Sequence, residues 1–350
     1  MFNKLIKIGD TTVGDKHVYI VAEMSANHLQ EYDKAIEIVH AAKEAGADAI
    51  KLQTYKPDLI TIDSDNDYFQ ISGGTIWDGE TLYKLYEKAY TPWEWQPKIM
   101  EEANKLGMDC FSSPFDFSAV SFMEEMNMPA FKIASYEITD ISLIKRCAST
   151  KKPIIIATGV ARKEDIELAL CACKEEGNND VILLKCVSAY PTPYEEVNLR
   201  MMTSLAKEYG CIVGLSDHTM GSVVPIGAVA LGAKMVEKHL TLKRSDGGPD
   251  GAFSMEPDEF SDMVKAIRVI EKALGKEEYS LTETQEKERE GARSLFVVKD
   301  IKRGEELTQD NIKSIRPGNG LPPKEIGNVL GKHAARDLYR GTPLCYEDFK

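Results

Sequence analysis

Short apolar runs alternate with amphipathic segments along most of this 350-residue chain. The runs are rich in Val, Ile and Phe, and the segments between them have apolar residues at helical spacing. The predicted strands are residues 17–23, 47–54, 108–114, 130–135, 153–159, 181–188, 211–217 and 233–239. The predicted helices are residues 32–45, 93–106, 118–126, 163–174, 195–209, 221–231 and 257–274. This alternation indicates an α/β protein with a parallel sheet.

The number of strands distinguishes between the parallel-sheet folds. Eight strands within residues 17–274 match a (β/α)8 TIM barrel better than a doubly wound sheet, which usually has fewer. In TIM barrels the active site lies at the carboxyl ends of the strands. We therefore expect the chemistry of this protein at polar residues that end or follow the predicted strands.

Two regions depart from the barrel pattern. Residues 57–81 form a long irregular insertion. Loops of this length usually serve as lids or binding loops, and the alternative is a solvent-exposed loop without a function. After the last predicted helix comes a charged segment with few apolar residues, and then short strand-like pieces separated by turns. We expect a barrel domain at 1–275, a partly helical linker at 276–292 and a small loop-rich domain at 293–350. We expect so small a domain to be stabilised by packing against the barrel or against a partner subunit.

Composition narrows the functional classes. The net charge of -13 argues against non-specific nucleic-acid binding, so any anionic substrate must be held by local cations. No apolar run is long enough to cross a membrane and no secretion signal is evident, so we expect a cytoplasmic protein. The seven cysteines are odd in number and mostly lie in apolar context, which is typical of reduced packing residues.

His218 and His239 stand at the ends of neighbouring predicted strands, one strand-plus-helix unit apart. Two imidazoles that meet at one rim of a barrel are good ligands for a first-row divalent metal. The alternative is that each histidine merely caps a buried strand. The pairing of the two residues favours a metal site.

Lysines also end predicted strands, at Lys51 and Lys132. A lysine at a poorly solvated rim needs an anion or a carboxylate as partner. The alternative is a salt bridge to Glu23 or Glu137 that only holds loops. The polar residues at the strand ends are Glu23, Asn27, His28, Lys51, Gln53, Ser112, Ser113, Asp116, Lys132, Ser135, Glu137, Ser188, Tyr190, Ser216, His218 and His239.

These side chains permit several functions. A bound metal ion can polarise a carbonyl or activate water, and lysines together with hydroxyls can hold a phosphate. Condensation of a phospho-enol with an aldehyde requires both of these functions. A metal-free Schiff-base aldolase would also need a barrel lysine. A non-catalytic sugar-binding protein is a third possibility, although it explains the lysines and carboxylates poorly.

Several motifs resemble those of the sialic acid synthase family. The barrel motifs are residues 21–28 (VAEMSANH), 51–54 (KLQT), 112–116 (SSPFD), 131–135 (FKIAS), 214–219 (GLSDHT) and 237–239 (EKH). The tail, with 293–295 (RSL) and 314–320 (SIRPGNG), resembles that family's antifreeze-like (SAF) domain. The resemblance implies condensation of phosphoenolpyruvate with an acetamido sugar to give a nine-carbon 2-keto acid. It also implies a domain-swapped homodimer, in which the SAF domain of one subunit reaches over the barrel of the other.

The resemblance also implies roles for individual residues. His218 and His239 would bind Mn²⁺ or Mg²⁺, and Glu23 and Glu137 would lie near the metal-bound water or the transferred protons. The residues expected to bind phosphoenolpyruvate are Lys51, Ser113, Lys132, Ser135, Ser188 and Ser216, with Gln53 and Tyr190 as further substrate-binding candidates. Asp250 would bind a sugar hydroxyl. Arg316 would arrive from the second subunit to meet an N-acetyl group, with a surface salt bridge as the alternative.

Two positions depart from the family pattern. Ala157 stands where the family commonly has Ser, so one hydroxyl for phosphoenolpyruvate is missing, and Ser188 stands where N-acetylneuraminate synthases often have Asn.

The sugar is suggested by residues 65–70, 77–79 and 244–254, which resemble pseudaminic acid synthases more than N-acetylneuraminate or legionaminate synthases. The implied acceptor is 2,4-diacetamido-2,4,6-trideoxy-L-altrose, and a manno-configured acetamido sugar is the alternative. A 6-deoxy sugar has a methyl group that favours an apolar contact, from Tyr68, Phe69 or Phe253.

Overall fold

Eight parallel strands close into a barrel in the computed structural model, which describes residues 1–350. They are β3 (Tyr19–Glu23), β4 (Ala49–Thr54), β5 (Asp109–Pro114), β6 (Phe131–Ile133), β7 (Ile154–Ala157), β8 (Val181–Lys185), β9 (Ile212–Asp217) and β10 (Met235–His239). Each strand pairs with the next in chain order, and β10 closes the barrel against β3. The predicted TIM barrel is confirmed.

Helices connect the strands and pack on the outer face of the barrel. They are α1 (Tyr32–Glu44), α2 (Pro57–Ile60), α3 (Leu82–Ala89), α4 (Gln96–Lys105), α5 (Phe117–Glu125), α6 (Ile141–Ser149), α7 (Lys163–Glu175), α8 (Arg200–Tyr209), α9 (Val223–Ala230) and α10 (Pro257–Ala273). Helices α3 and α6 were not predicted from the sequence. Helix α6 is short, yet Asp140 caps its first turn and Leu143 and Ile144 are buried against the barrel. None of the helices is long and apolar enough to cross a membrane.

An N-terminal hairpin that was not predicted belongs to the inner core of the barrel. Strands β1 (Ile6–Ile8) and β2 (Thr11–Val13) pair antiparallel and bury Ile6, Ile8 and Val13. These side chains cluster with residues from the first half of the barrel strands, among them Tyr19, Phe111 and Met235. Burial of each Ile contributes about 1.5–3 kcal/mol. The amino-terminal half of the barrel interior is therefore filled mainly by apolar side chains, with a hydrogen bond from the Tyr19 hydroxyl to Asp109 at its end. The other polar interior residues lie in the carboxyl half.

The insertion after β4 has more local structure than the sequence predicted. It begins with α2 and contains a short 3-10 turn at Asp67–Phe69. Gln70 and Thr81 then form an antiparallel bridge, and the Ile71 amide donates to the Glu80 carbonyl at 2.9 Å. We call residues 70–81 the 70–81 loop.

The chain divides into two compact units, Met1–Gly275 and Lys276–Lys350. The second unit contains helix α11 (Glu283–Glu288), the antiparallel strands β11 (Ser294–Val297) and β12 (Ile312–Ile315), and helix α12 (Ile326–Val329). Its core includes Leu295, Val297, Ile312 and Leu344. The predicted strand pieces near Leu338 and Pro343 form only isolated β-bridges in this unit, since each pairs with a neighbouring segment at a single residue.

Candidate active site

Alternate residues of the barrel strands place polar side chains in the carboxyl half of the interior. Successive strand residues face opposite sides of a sheet, so Lys51 and Gln53 of β4 share the inner face, as do Glu237 and His239 of β10. In the carboxyl half of the barrel, the inward polar residues of the strands are Glu23, Lys51, Gln53, Ser113, Lys132, Ser216, Glu237 and His239. All of these except Gln53 are buried.

Four of these residues form what we call the inner charge cluster: Glu23, Lys51, Lys132 and Glu237. The Lys51 Nζ atom lies 2.6 Å from Glu23 Oε2 and 3.7 Å from Glu237 Oε1. The Lys132 Nζ atom lies 3.0 Å from Glu237 Oε1, which also accepts a hydrogen bond of 2.9 Å from Ser216 Oγ. Two lysines from different strands thus converge on one carboxylate.

The pKa values of the two glutamates of the cluster shift in opposite directions. Burial by itself raises the pKa of Glu237, but Lys132 and Lys51 outweigh it and lower the pKa to about 2. Burial raises the pKa of Glu23 despite the neighbouring Lys51. Glu237 is therefore the permanent anion of the cluster. Its Oε2 atom is buried without a hydrogen-bond partner, which is costly in a protein interior unless a ligand uses it.

Glu237 was given no role in the sequence analysis, although it belongs to a quoted motif. The available signal was its position two residues before His239, which places both side chains on the inner face of β10. Lys132 pairs with Glu237 and forms no salt bridge with Glu137, the partner that the sequence suggested. Lys51 does pair with Glu23 as expected.

Serine hydroxyls converge beside the cluster at Gly159. The Gly159 amide donates to Ser135 Oγ at 3.1 Å. A Cβ atom at Gly159 would lie 2.3 Å from Ser188 Oγ and 2.6 Å from Ser135 Oγ, so no larger residue fits there. Ser113 Oγ lies 3.5 Å from Lys51 Nζ. The structure thus brings Ser135 and Ser188 together, and Gly159 is a site residue that the sequence analysis missed.

The two histidines meet as their spacing predicted. The imidazole centroids of His218 and His239 are 5.3 Å apart. Nδ1 of His218 lies 3.0 Å from the Val187 carbonyl, which leaves Nε2 free, and Nδ1 of His239 is buried without a partner. Burial lowers the pKa of His239 well below its usual value, so its ring is neutral.

This histidine pair fits a divalent metal. An imidazole that is oriented by a carbonyl at one nitrogen and free at the other is the usual form of a metal ligand. The chain has no group of three or more His, Cys, Asp or Glu side chains arranged to hold a metal ion. A metal at His218 and His239 would therefore take its remaining ligands from substrate or water.

A polar network connects the inner charge cluster to Asp250. Gln53 Nε2 donates to Glu23 Oε1 at 2.9 Å and to Ser25 Oγ at 3.0 Å. Ser25 Oγ in turn donates to Asp250 Oδ2 at 2.5 Å. Burial raises the pKa of Asp250. Gln53 and Asp250 thus belong to one buried network, which Ser25 completes.

Glu137 lies apart from this network, in a 3-10 turn at Ser135–Thr139. Burial raises its pKa to about 7, and its Oε2 atom has no hydrogen-bond partner. A carboxyl group with this pKa exchanges protons near neutral pH.

Aromatic rings lie against the histidines. The Tyr190 ring centroid is 4.4 Å from His218, and the Phe253 centroid is 5.0 Å from His239. Of the three residues expected to offer an apolar contact, Tyr68 is 88% exposed, Phe69 is half-buried in the 3-10 turn of the insertion, and Phe253 is buried beside the site. Arg316 lies in the second unit, where its side chain is exposed and forms no salt bridge.

Comparisons with known proteins identify the family of this chain. The NeuB family model matches residues 38–279, and the SAF domain model matches residues 292–350. The chain is 49% identical to a pseudaminic acid synthase of Helicobacter pylori, covering 95% of this chain and 97% of that protein. It is 46% identical to a pseudaminic acid synthase of Campylobacter jejuni, with 96% and 98% covered.

More distant relatives include an N,N'-diacetyllegionaminic acid synthase of Legionella pneumophila, which is 35% identical with 94% of each chain covered. Among solved structures, an N-acetylneuraminic acid (sialic acid) synthetase from Leptospira borgpetersenii has a TM-score of 0.74 and 29% identity, with 82% of this chain and 95% of that chain covered. The chain belongs to the NeuB family, the sialic acid synthase family of enzymes that form carbon–carbon bonds, and has a SAF domain at its carboxyl end.

Proposed function

We propose that this protein is a pseudaminic acid synthase. It condenses phosphoenolpyruvate with 2,4-diacetamido-2,4,6-trideoxy-L-altrose and water, and releases pseudaminic acid and phosphate. The observation that carries the reaction type is the position of two buried lysines in the same barrel interior as the buried pair His218 and His239. The choice of sugar is supported by 46–49% identity to pseudaminic acid synthases, against 34–35% to legionaminic acid synthases.

The lysines and serines are the proposed binding site for phosphoenolpyruvate. Lys51 and Lys132 supply the positive charge for its phosphate and carboxylate, which an acidic protein must provide locally. The hydroxyls proposed to complete the pocket belong to Ser113, Ser135, Ser188 and Ser216. The carboxylates of the inner charge cluster neutralise the lysines before the substrate arrives.

The environment of Lys51 argues against a Schiff base at this residue. A lysine that attacks a carbonyl needs a lowered pKa, so that its amine is neutral. Burial lowers the pKa of Lys51, but Glu23 and Glu237 outweigh it and the net shift is upward. Lys51 is therefore a permanent cation, which suits an anion-binding role.

Synthases of this family are generally metal-dependent, and the histidine pair is where we place the metal. His218 and His239 would hold Mn²⁺ or Mg²⁺. When bound, the ion supplies Lewis-acid polarisation of the sugar aldehyde. The protein's contribution is to hold both imidazoles in position, since the Val187 carbonyl orients His218.

The bond changes follow from this placement of the substrates. Carbon 3 of phosphoenolpyruvate bonds to the aldehyde carbon, whose oxygen takes a proton and becomes a hydroxyl. The cationic carbon 2 takes water, and its bond to the phosphate oxygen breaks to leave a ketone. Glu23 and Glu137 have raised pKa values, so we assign the proton exchanges to them. The ionised Glu237 lies beside Lys51 and Lys132, where we place phosphoenolpyruvate, and it would offset the positive charge that develops at carbon 2.

We also propose a domain-swapped homodimer. In it, Arg316 of one subunit meets the N-acetyl group of the sugar bound in the barrel of the other. Exposed apolar side chains support an interface at the carboxyl end of the barrel strands, because they lie on the loops and first helical turns that follow the strands. They are Phe117 (53% exposed), Tyr136 (64%), Tyr194 (60%) and Val223 (78%). Mixing inactive Arg316→Ala with inactive His218→Ala subunits should restore activity, because mixed dimers contain one intact site.

Product analysis tests the proposed reaction. The protein is incubated with phosphoenolpyruvate and Mn²⁺, and separately with the diacetamido altrose, its legionaminate-series counterpart or N-acetylmannosamine. We expect phosphate release and the mass of pseudaminic acid with the altrose sugar. Efficient turnover of a manno-configured sugar in preference to it would identify a legionaminate or N-acetylneuraminate synthase. Full activity after chelation, or a borohydride-trapped lysine, would overturn the metal mechanism.

A further inference from the structure

The 70–81 loop is held in a defined shape by its own hydrogen bonds. The Gly79 amide donates to the Ile71 carbonyl at 2.9 Å, which closes the neck of the loop. At its tip, the Asp78 carboxylate accepts hydrogen bonds of 2.9 Å from the amides of Gly74 and Thr75. A loop ordered in this way loses little conformational entropy when it contacts a ligand.

Trp77 connects this loop to the active-site side of the barrel. Its Nε1 atom donates a hydrogen bond of 2.7 Å to the Pro249 carbonyl, next to Asp250 in the chain. Its ring centroid lies 5.5 Å from that of Tyr190. The neighbouring Ile76 is 49% exposed, so Trp77 is the large side chain at the tip that turns inward.

Trp77, Tyr190 and Phe253 form an aromatic wall beside the histidine pair. The Tyr190 centroid is 5.2 Å from that of Phe253, and these two rings contact His218 and His239 respectively. The wall begins at the two imidazoles and ends at Trp77. The lysines of the inner charge cluster lie on β4 and β6, whereas the wall is built from loops after β4, β8 and β10.

This arrangement constrains how an extended sugar can lie in the site. If the aldehyde is at the histidines and phosphoenolpyruvate is at the lysines, the remaining carbons extend along the wall. Carbon 6 is the atom furthest along the chain from the aldehyde and meets the outer end of the wall. We propose that Trp77 is a specificity-determining residue, which contacts the carbon 6 methyl group and disfavours acceptors with a hydroxyl there. This inference rests on the proposed function.

The test compares two acceptors that differ only at carbon 6. These are the 6-deoxy diacetamido altrose and its 6-hydroxy counterpart, 2,4-diacetamido-2,4-dideoxy-L-altrose. An apolar contact discriminates against an added hydroxyl by about 100-fold in kcat/KM. In Trp77→Ala we expect most of this ratio to be lost, mainly through the 6-deoxy sugar, with KM for phosphoenolpyruvate unchanged. Trp77→Phe keeps an aromatic ring and should keep most of the preference.

Ile62→Ala is the control, because Ile62 is a large apolar residue of the same insertion that is 59% exposed. Its ratio should equal that of the wild type. If wild-type protein does not turn over the 6-deoxy sugar, the proposed function fails. If the wild type is active but Trp77→Ala and Trp77→Phe lower kcat/KM for both sugars equally, the function stands and the specificity role of Trp77 is wrong.

Discussion

Two buried ionic groups lie on opposite faces of the same part of the barrel wall. The inner charge cluster faces the barrel interior. The second group, which we call the outer ion pair, consists of Asp217 on β9 and Lys238 on β10, which are partners in the strand register. Their side chains are 2% and 1% exposed, and Lys238 Nζ lies 2.5 Å from Asp217 Oδ2. Burial is therefore the same in both groups.

The two groups differ in how completely their hydrogen bonds are satisfied. Lys238 also donates to the Thr219 carbonyl, and Asp217 also accepts from the Thr219 amide and hydroxyl. In the inner charge cluster, Glu237 Oε2 has no partner. A closed network stabilises the fold, whereas an open one keeps binding capacity for a ligand. Incomplete satisfaction, more than buried charge, therefore marks the candidate active site.

The largest expected effect is that of Glu237→Gln on catalysis. The neutral amide leaves Lys51 and Lys132 without their shared anion, and we expect kcat/KM to fall by about 10³-fold. Phosphate release is the measurement. Phosphoenolpyruvate should also raise the Tm of the variant more than that of the wild type, because its charge replaces the lost carboxylate.

Glu208→Gln is the control for Glu237→Gln, since it removes an exposed carboxylate that pairs with Lys163 on the surface. It should leave kcat/KM unchanged. Wild-type kcat/KM in Glu237→Gln would contradict a functional role for the inner charge cluster.

Lys238→Met should lower the stability of the fold rather than act directly on catalysis. The substitution leaves the Asp217 charge buried and unpaired, and breaking such a pair costs about 3–5 kcal/mol in the free energy of unfolding. Urea denaturation measures this loss. Substrate should not selectively restore stability, because the outer ion pair does not face the interior. The double variant Asp217→Leu with Lys238→Met should recover much of the lost stability, and its failure to do so would show that the pair has a further role.

Glu137→Gln should alter the pH dependence of the reaction. The pKa of Glu137 is raised to about 7, so the group is protonated below that pH and ionised above it. If Glu137 donates a proton to the aldehyde oxygen, kcat falls as the pH rises through about 7. This descending limb of the pH profile should be absent in the Gln variant. A pH profile of kcat from pH 5 to pH 9 measures the limb. A wild-type limb that rises with pH would make Glu137 a proton acceptor.

The smallest expected effect is that of Ala157→Ser. Ala157 is buried at the carboxyl end of β7, and the substitution adds a hydroxyl at the position where the resemblance to the family predicts one. One added hydrogen bond contributes about 0.5–1.5 kcal/mol, so KM for phosphoenolpyruvate should fall by about two- to tenfold. Steady-state kinetics measure the change. An unaltered KM would mean that the hydroxyls of Ser135 and Ser188 already make the hydrogen bonds that phosphoenolpyruvate needs.

The fold and the meeting of the two histidines were largely predictable from local patterns. Strand–helix alternation predicted the barrel, and the spacing of His218 and His239 predicted their meeting, because neighbouring parallel strands end at the same rim. The N-terminal hairpin was not predictable in the same way. Its strands are only three residues long, and they are stabilised by contacts with barrel residues distant in the chain.

The sequence by itself determined which residues are present at each strand end and which face they share, because the two-residue period of a strand is a local property. That was enough to predict Lys51, Lys132 and the two histidines as site residues. Only the tertiary structure decided their partners. Closure of β10 against β3 brings Glu237 between Lys51 and Lys132, and the 70–81 loop brings Trp77 to Pro249. These contacts join residues far apart in the chain, and their distances depend on how the whole barrel closes.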